Sequence, residues 1–190
     1  MKKFKVLILQ NSLSDNDGSS FALVGLLNDL DFIQSYKILT LKNLMTSTDL
    51  NVRVVDSFDD VNDELISNEY DLIHNFRLVG NDLINWTLKS LRTNKKNIPI
   101  ITTVNQRPSF ILSLLTPDEI KYSYKIVLID KASYNNKVIS FIPEDRKCLN
   151  YYCTSRNEVL FENLYNERLS EKLKCGGKVI FGRGSTLNKC

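Results

Sequence analysis

Short runs of β-branched, aliphatic and aromatic residues recur along the chain, separated by longer stretches whose apolar residues repeat with helical spacing. The runs are FKVLILQ (4–10), YKILTL (36–41), NVRVVD (51–56), DLIHNF (71–76), IPIITTV (98–104), YKIVLID (124–130), KCLNYYC (147–153) and KVIFGRG (178–184). Several are apolar at consecutive positions, as strands covered on both faces must be, which predicts a parallel sheet. Helices are predicted between them. Residues 19–30 follow a Ser/Asp/Asn/Gly cluster able to cap a helix, and 59–69 carry acids in the first turn. Residues 81–96 start acidic and end in Arg92, Lys95 and Lys96, while 132–142 stop at Pro143 and 158–174 at Cys175-Gly176-Gly177.

Strand–helix alternation of this kind gives right-handed βαβ units. The expected fold is α/β: a Rossmann-like, doubly wound, mostly parallel sheet of about seven strands with helices on both faces. Ligands of such sheets sit beyond the carboxyl ends of the strands, where the strand order reverses. Attention therefore falls on residues 11–20, 74–80, 105–109 and 130–133.

Composition narrows the class. The chain has 190 residues, 43% hydrophobic and 25% charged, which is ordinary for a globular protein. Its 25 basic and 22 acidic residues leave a net charge of only +3, too weak to mark an electrostatic nucleic-acid binder. No apolar run approaches the roughly 18 to 20 residues of a membrane span, and the apolar start is too short for a signal peptide. A cytoplasmic protein is expected. One histidine and four scattered cysteines make a metal site unpromising, and the cysteines read as free thiols. No metal and no cofactor are expected.

The strand ends carry the candidate chemistry. After the first strand comes Q-N-S-L-S-D-N-D-G-S-S, where Gly18 and Ser19 open a helix whose free N–H groups suit a phosphate or carboxylate, or simply form a capped turn. Neither G-x-G-x-x-G nor G-x-x-x-x-G-K-[ST] is present, which counts against a dinucleotide or a P-loop. After the fourth strand stand His74, Asn75 and Arg77. His74 is either a hydrogen-bonded core residue or a cleft group, and Arg77 offers a bidentate contact to an anion. After the fifth strand, Asn105, Gln106 and Arg107 read as cleft lining or as a hydrated loop. The following P-S-F-I-L-S-L-L-T-P is unusually apolar for a loop. It is either a short buried helix or a patch, Phe110, Ile111, Leu112, Leu114 and Leu115, that touches a membrane or a lipid-tailed substrate. No G-x-S-x-G elbow is present and no complete catalytic set is legible.

Five ordered segments carry a resemblance. They are Y-D-L-I-H-N-F (70–76), N-I-P-I-I-T-T-V-N-Q (97–106), K-I-V-L-I-D-K-A-S (125–133), R-K-C-L-N-Y-Y-C-T-S-R-N-E-V-L-F (146–161) and K-V-I-F-G-R-G-S-T-L-N-K (178–189). Together they resemble the N-terminal, acceptor-binding domain of GT-B glycosyltransferases, in particular glycosyltransferase family 4. The resemblance implies transfer of a sugar from a nucleotide-sugar donor to a saccharide or lipid-linked acceptor, in cell-surface polysaccharide synthesis, without a metal. It implies that His74, Asn75, Arg77, Asn105, Gln106 and Arg107 line the acceptor cleft and that Gly18 and Ser19 approach the donor phosphates. The chain departs from the family in having only Gly18 in the first loop and Asn105 where a histidine is common. On this reading 1–175 is the acceptor domain and 176–190 is a linker with the first strand of a donor domain, so these residues alone are expected to be inactive. The alternative is a stand-alone flavodoxin- or receiver-like binding or signalling module.

Overall fold

The computed structural model describes residues 3–149, apart from 15–19, 21–22, 24–26, 28–32, 47–49, 78–79, 105–110, 112–114 and 129–133. Contacts divide the chain into Met1–Tyr152 and Cys153–Cys190, and every described residue belongs to the first unit. The strand expected at 178–184, the helix at 158–174 and the domain boundary near 175 lie outside the described residues.

Nine strands are described: β1 (Phe4–Leu9), β2 (Ser12–Ser14), β3 (Ile33–Thr40), β4 (Lys42–Leu44), β5 (Val52–Val54), β6 (Leu72–Arg77), β7 (Ile100–Val104), β8 (Ser123–Leu128) and β9 (Lys147–Leu149). Three α-helices are described along their whole length: α1 (Phe58–Ser67), α2 (Asp82–Thr93) and α3 (Pro117–Tyr122). Seven strands form one sheet in the order β5-β3-β1-β6-β7-β8-β9, and every pairing is parallel. The expected α/β, Rossmann-like sheet is therefore what the chain forms.

Alternation along the strands separates two apolar layers. Leu7, Leu9, Leu39 and Ile73 pack with Val61 and Leu65 of α1 and with Leu83, Ile84, Leu88 and Leu91 of α2. Val6, Ile8, Ile38 and Phe76 point the other way and pack with Leu13 and Leu23. Ser20, Leu23 and Leu27 are helical, in keeping with the predicted helix at 19–30. A third cluster, Val104, Ile111, Leu115, Ile126, Leu128, Ile139 and Ile142, fills the side beyond β7. Ile111 is helical and fully buried there, as the short-buried-helix reading requires. Neither Ile111 nor Leu115 is available to a membrane, because both are spent on this core. Phe110, Leu112 and Leu114 lie outside the described residues.

The caps explain the helix boundaries. Ser57 starts α1 by accepting a hydrogen bond from the Asp60 N–H. Thr116 starts α3 with a full capping box: its side chain accepts from the Glu119 N–H, Glu119 reaches back, and Pro117 occupies the first turn. At the end of α2, Lys95 turns left-handed at φ 52° while the Lys96 N–H bonds back to Leu91 O. Of the helix predicted at 132–142, Tyr134 is helical, but 135–142 are not α-helical. Ile139, Ser140 and Ile142 each bond three residues back, giving a short 3₁₀ turn (Lys137–Ile139) that drops Ile139 and Ile142 into the core.

Candidate functional site

The strand order reverses between β1 and β6. From β1 the chain moves to β3 and β5 on one side, then returns to β6 and continues outward on the other. The crevice between the carboxyl ends of β1 and β6 is thus the topological switch point, where open α/β sheets take their ligands.

Four local features build this end. First, β1 and β3 leave the sheet together. Gln10 N–H bonds Leu39 O at 3.0 Å, Leu41 N–H bonds Asn11 O at 3.1 Å, and the two chains re-pair as β2 and β4, with Ser12 opposite Lys42 and Ser14 opposite Leu44. Second, Thr40 holds the bend: its buried hydroxyl donates to Lys42 O at 3.0 Å and accepts from Lys42 N–H at 3.3 Å. Third, the Ser14 N–H donates to Ser20 Oγ at 3.1 Å, tying β2 to the start of the following helix. Fourth, Gly80 (φ +87°) presses on Asn11, where an added Cβ would lie only 2.6 Å from Asn11 Nδ2. The left-handed backbone favours glycine, and any Cβ there would force the Asn11 side chain to move. Lys42 and Asn43 are exposed on β4, which pairs with β2 just past the end of β1. With Asn11 they bring amide and ammonium groups, which make directional hydrogen bonds, to this end of the sheet.

The predicted residues fall on different sides of the sheet. His74 is half-buried. Its Nε2 lies 2.9 Å from Thr103 Oγ1, and its ring meets Phe76 edge-on at 5.6 Å. Burial pushes its pKa down to about 4, so the ring is neutral near pH 7. Asn75 does not line the crevice. It faces the opposite side from His74, is buried, and donates to Glu119 Oε1 at 2.7 Å and to Thr102 Oγ1 at 3.4 Å. Thr102 in turn meets Ser123 Oγ at 2.8 Å. Strand alternation causes this reversal: neighbours along β6 point to opposite faces. Arg77 is the last residue of β6, opposite Val104. Gly18, Ser19, Asn105, Gln106 and Arg107 lie outside the described residues.

The sequence reading missed β2, β4, α3 and the buried Asn75–Glu119 pair. The capping signal T-P-D-E at 116–119 was present in the sequence and marks α3. Three-residue strands such as S-L-S and K-N-L carry no periodicity to find. Among the described residues no group of His, Cys, Asp or Glu is placed to hold a metal, and no helix is long and apolar enough to cross a membrane. Cys148 is a free thiol.

No protein-family model matches the chain, and no characterised protein matches it in sequence.

Proposed function

We propose that this domain is the acceptor-binding half of a GT-B-type glycosyltransferase, which transfers a sugar from a nucleotide-sugar to a saccharide or lipid-linked acceptor. The observation that carries the reading is the placement of the resembling segments. Residues 97–106 and 146–161 contain β7 and β9, and 70–76 and 125–133 contain most of β6 and β8, four consecutive neighbours in one parallel sheet. The switch-point crevice adds chemical support. Asn11, Gly80 and the exposed Lys42 and Asn43 suit a hydroxyl-rich ligand better than a dinucleotide, whose pyrophosphate needs a glycine-rich turn that this chain lacks.

The flavodoxin-like alternative fits less well. That architecture orders its strands 2-1-3-4-5, whereas here the third main-sheet strand, β5, lies outside the second, β3. The test is a ligand-observed NMR screen with oligosaccharides, nucleotide-sugars, NAD and FMN. Saccharide binding that is lost in Lys42→Ala/Asn43→Ala, two exposed side chains whose removal leaves circular dichroism unchanged, is the expected result. Binding of FMN or NAD at this site, or no saccharide binding at all, would overturn the reading.

A further inference from the structure

The opposite end of the sheet holds a second feature, unconnected with the switch point. Beneath the amino ends of β7, β8 and β9 runs an open groove of 610 Å³, lined among others by Asn97, Lys121, Tyr122, Tyr124, Lys125 and Arg146. Its volume lies within the range of small-ligand sites. A neighbouring hollow of 380 Å³ shares Asn97 and Ile98 with it and extends toward Lys5 and Lys96.

Two tyrosines dominate the groove. Ser123 turns inward and is 2% exposed, while Tyr122 and Tyr124 on either side stay 41% and 65% exposed. Cations lie near both rings. Lys121 Nζ sits 5.6 Å and Arg92 Cζ 4.6 Å from the Tyr122 ring centre, and Lys125 Nζ sits 5.7 Å from that of Tyr124.

The charges are set in place. Lys125 Nζ donates to Asp145 O at 2.6 Å, and Arg146 Nη1 donates to Ile120 O at 2.6 Å and Lys121 O at 2.8 Å. The remaining guanidinium nitrogens of Arg146 make no hydrogen bond among the described residues. Lys121, Lys125 and Arg146 face one acid in the groove, Asp145, so the lining carries excess positive charge.

From these features we infer that the groove binds a short anionic saccharide. The apolar C–H faces of a pyranose lie against the electron-rich faces of Tyr122 and Tyr124. A ring carboxylate meets Lys121 and Arg146, the latter through its free fork. The Asn97 amide serves the hydroxyls. Three cations are too few for a nucleic-acid track, where each neutralised phosphate needs its own cation. The inference rests on the groove alone and not on sugar transfer at the switch point.

The test titrates the chain with tetragalacturonate, with maltotetraose as the neutral control and with a dT8 strand, while following tyrosine ring signals by NMR. The expected result is binding of tetragalacturonate that moves the Tyr122 and Tyr124 signals and weakens as salt rises. At least tenfold loss is expected in the Tyr122→Ala/Tyr124→Ala variant and in Lys121→Glu. All three side chains are exposed, so circular dichroism should report intact folds. Lys42→Ala/Asn43→Ala, at the switch-point end, should leave this binding unchanged. Failure of tetragalacturonate to bind, equal binding by the double variant, or preference for dT8 would overturn the proposal.

Discussion

The most heavily bonded side chain described is Glu64, on the inner face of α1. It is 1% exposed, and its two oxygens accept from Lys37 Nζ (3.0 and 3.1 Å), Arg53 Nη1 (2.8 Å), Asn68 Nδ2 (2.8 Å) and Tyr70 Oη (2.6 Å). Burial by itself would raise its pKa, but the hydrogen bonds from Tyr70, Arg53 and Lys37 win and hold it below the usual carboxylate value. Removing the charge strands two cations that share the site. Glu64→Gln should therefore destabilise the fold by about 2 to 3 kcal/mol in urea unfolding, the figure for a buried pair being discounted because Lys37 and Arg53 keep some solvent contact. Tyr70→Phe keeps the charge pair and should cost only about 1 kcal/mol. Equal losses in the two variants would mean that the hydroxyl, not the charge, holds α1 to β3 and β5.

His74 supplies a second effect at this scale, with a definite sign. Its pKa is near 6.5 in the unfolded chain and about 4 in the fold, so between those values the unfolded state binds the extra proton. The stability tied to a neutral His74 is complete above about pH 6.5 and is lost as pH falls toward 4. Glu64, with a lowered pKa, adds a further loss only below the ordinary carboxylate range. Tm measured at pH 7 and pH 5 should fall for the natural chain and fall distinctly less for His74→Gln. An equal fall would place the sensitive group elsewhere.

Among the elements, the caps give the sharpest expectations. Thr116→Ala removes the side-chain acceptor of the Glu119 N–H, one half of the α3 capping box, so a loss of about 1 kcal/mol is expected. Lys95 ends α2 with a left-handed backbone that costs an ordinary residue about 1 to 2 kcal/mol. Lys95→Gly should recover part of that and stabilise by up to about 1 kcal/mol, because glycine's own entropy cost takes back the rest. Both changes can be read in urea midpoints at constant slope. These elements also show what the sequence makes legible. The main-sheet strands were readable because runs such as V-L-I-L and I-I-T-T-V are buried on both faces, and that burial writes an unbroken apolar pattern. The site was less readable. Position beyond a strand end predicted His74 and Asn75 equally, yet pleat parity sends one to each face, and the decisive partner, Glu119, comes from a helix 44 residues away in sequence. Gly80 passed unnoticed because a lone glycine has no signature until Asn11 is placed against it.

At the scale of the molecule, the sheet itself sets an order of stability. Strand β1 is paired on both sides over four or more residues, to β3 and to β6, and β6 is likewise paired to β1 and β7. The strands β5 and β9 hold on through three residue pairs each, and among the described residues each has one neighbour only. Local opening follows the number of contacts that must break together. Native-state hydrogen exchange should therefore find the amides of Ile8, Leu9 and Ile73 near the global unfolding limit, with those of Arg53 and Cys148 opening first. The two sites sample this gradient differently. Asn11 and Gly80 stand on the protected centre, so a ligand there meets a preformed crevice and changes exchange little. Arg146, Lys125 and Tyr124 border β8 and the weakly held β9, so a ligand in the groove ties down backbone that otherwise opens. Tetragalacturonate should then slow exchange at Cys148 while leaving Ile8 unchanged. Equal slowing at both amides would mean that the ligand stabilises the whole fold and not β9.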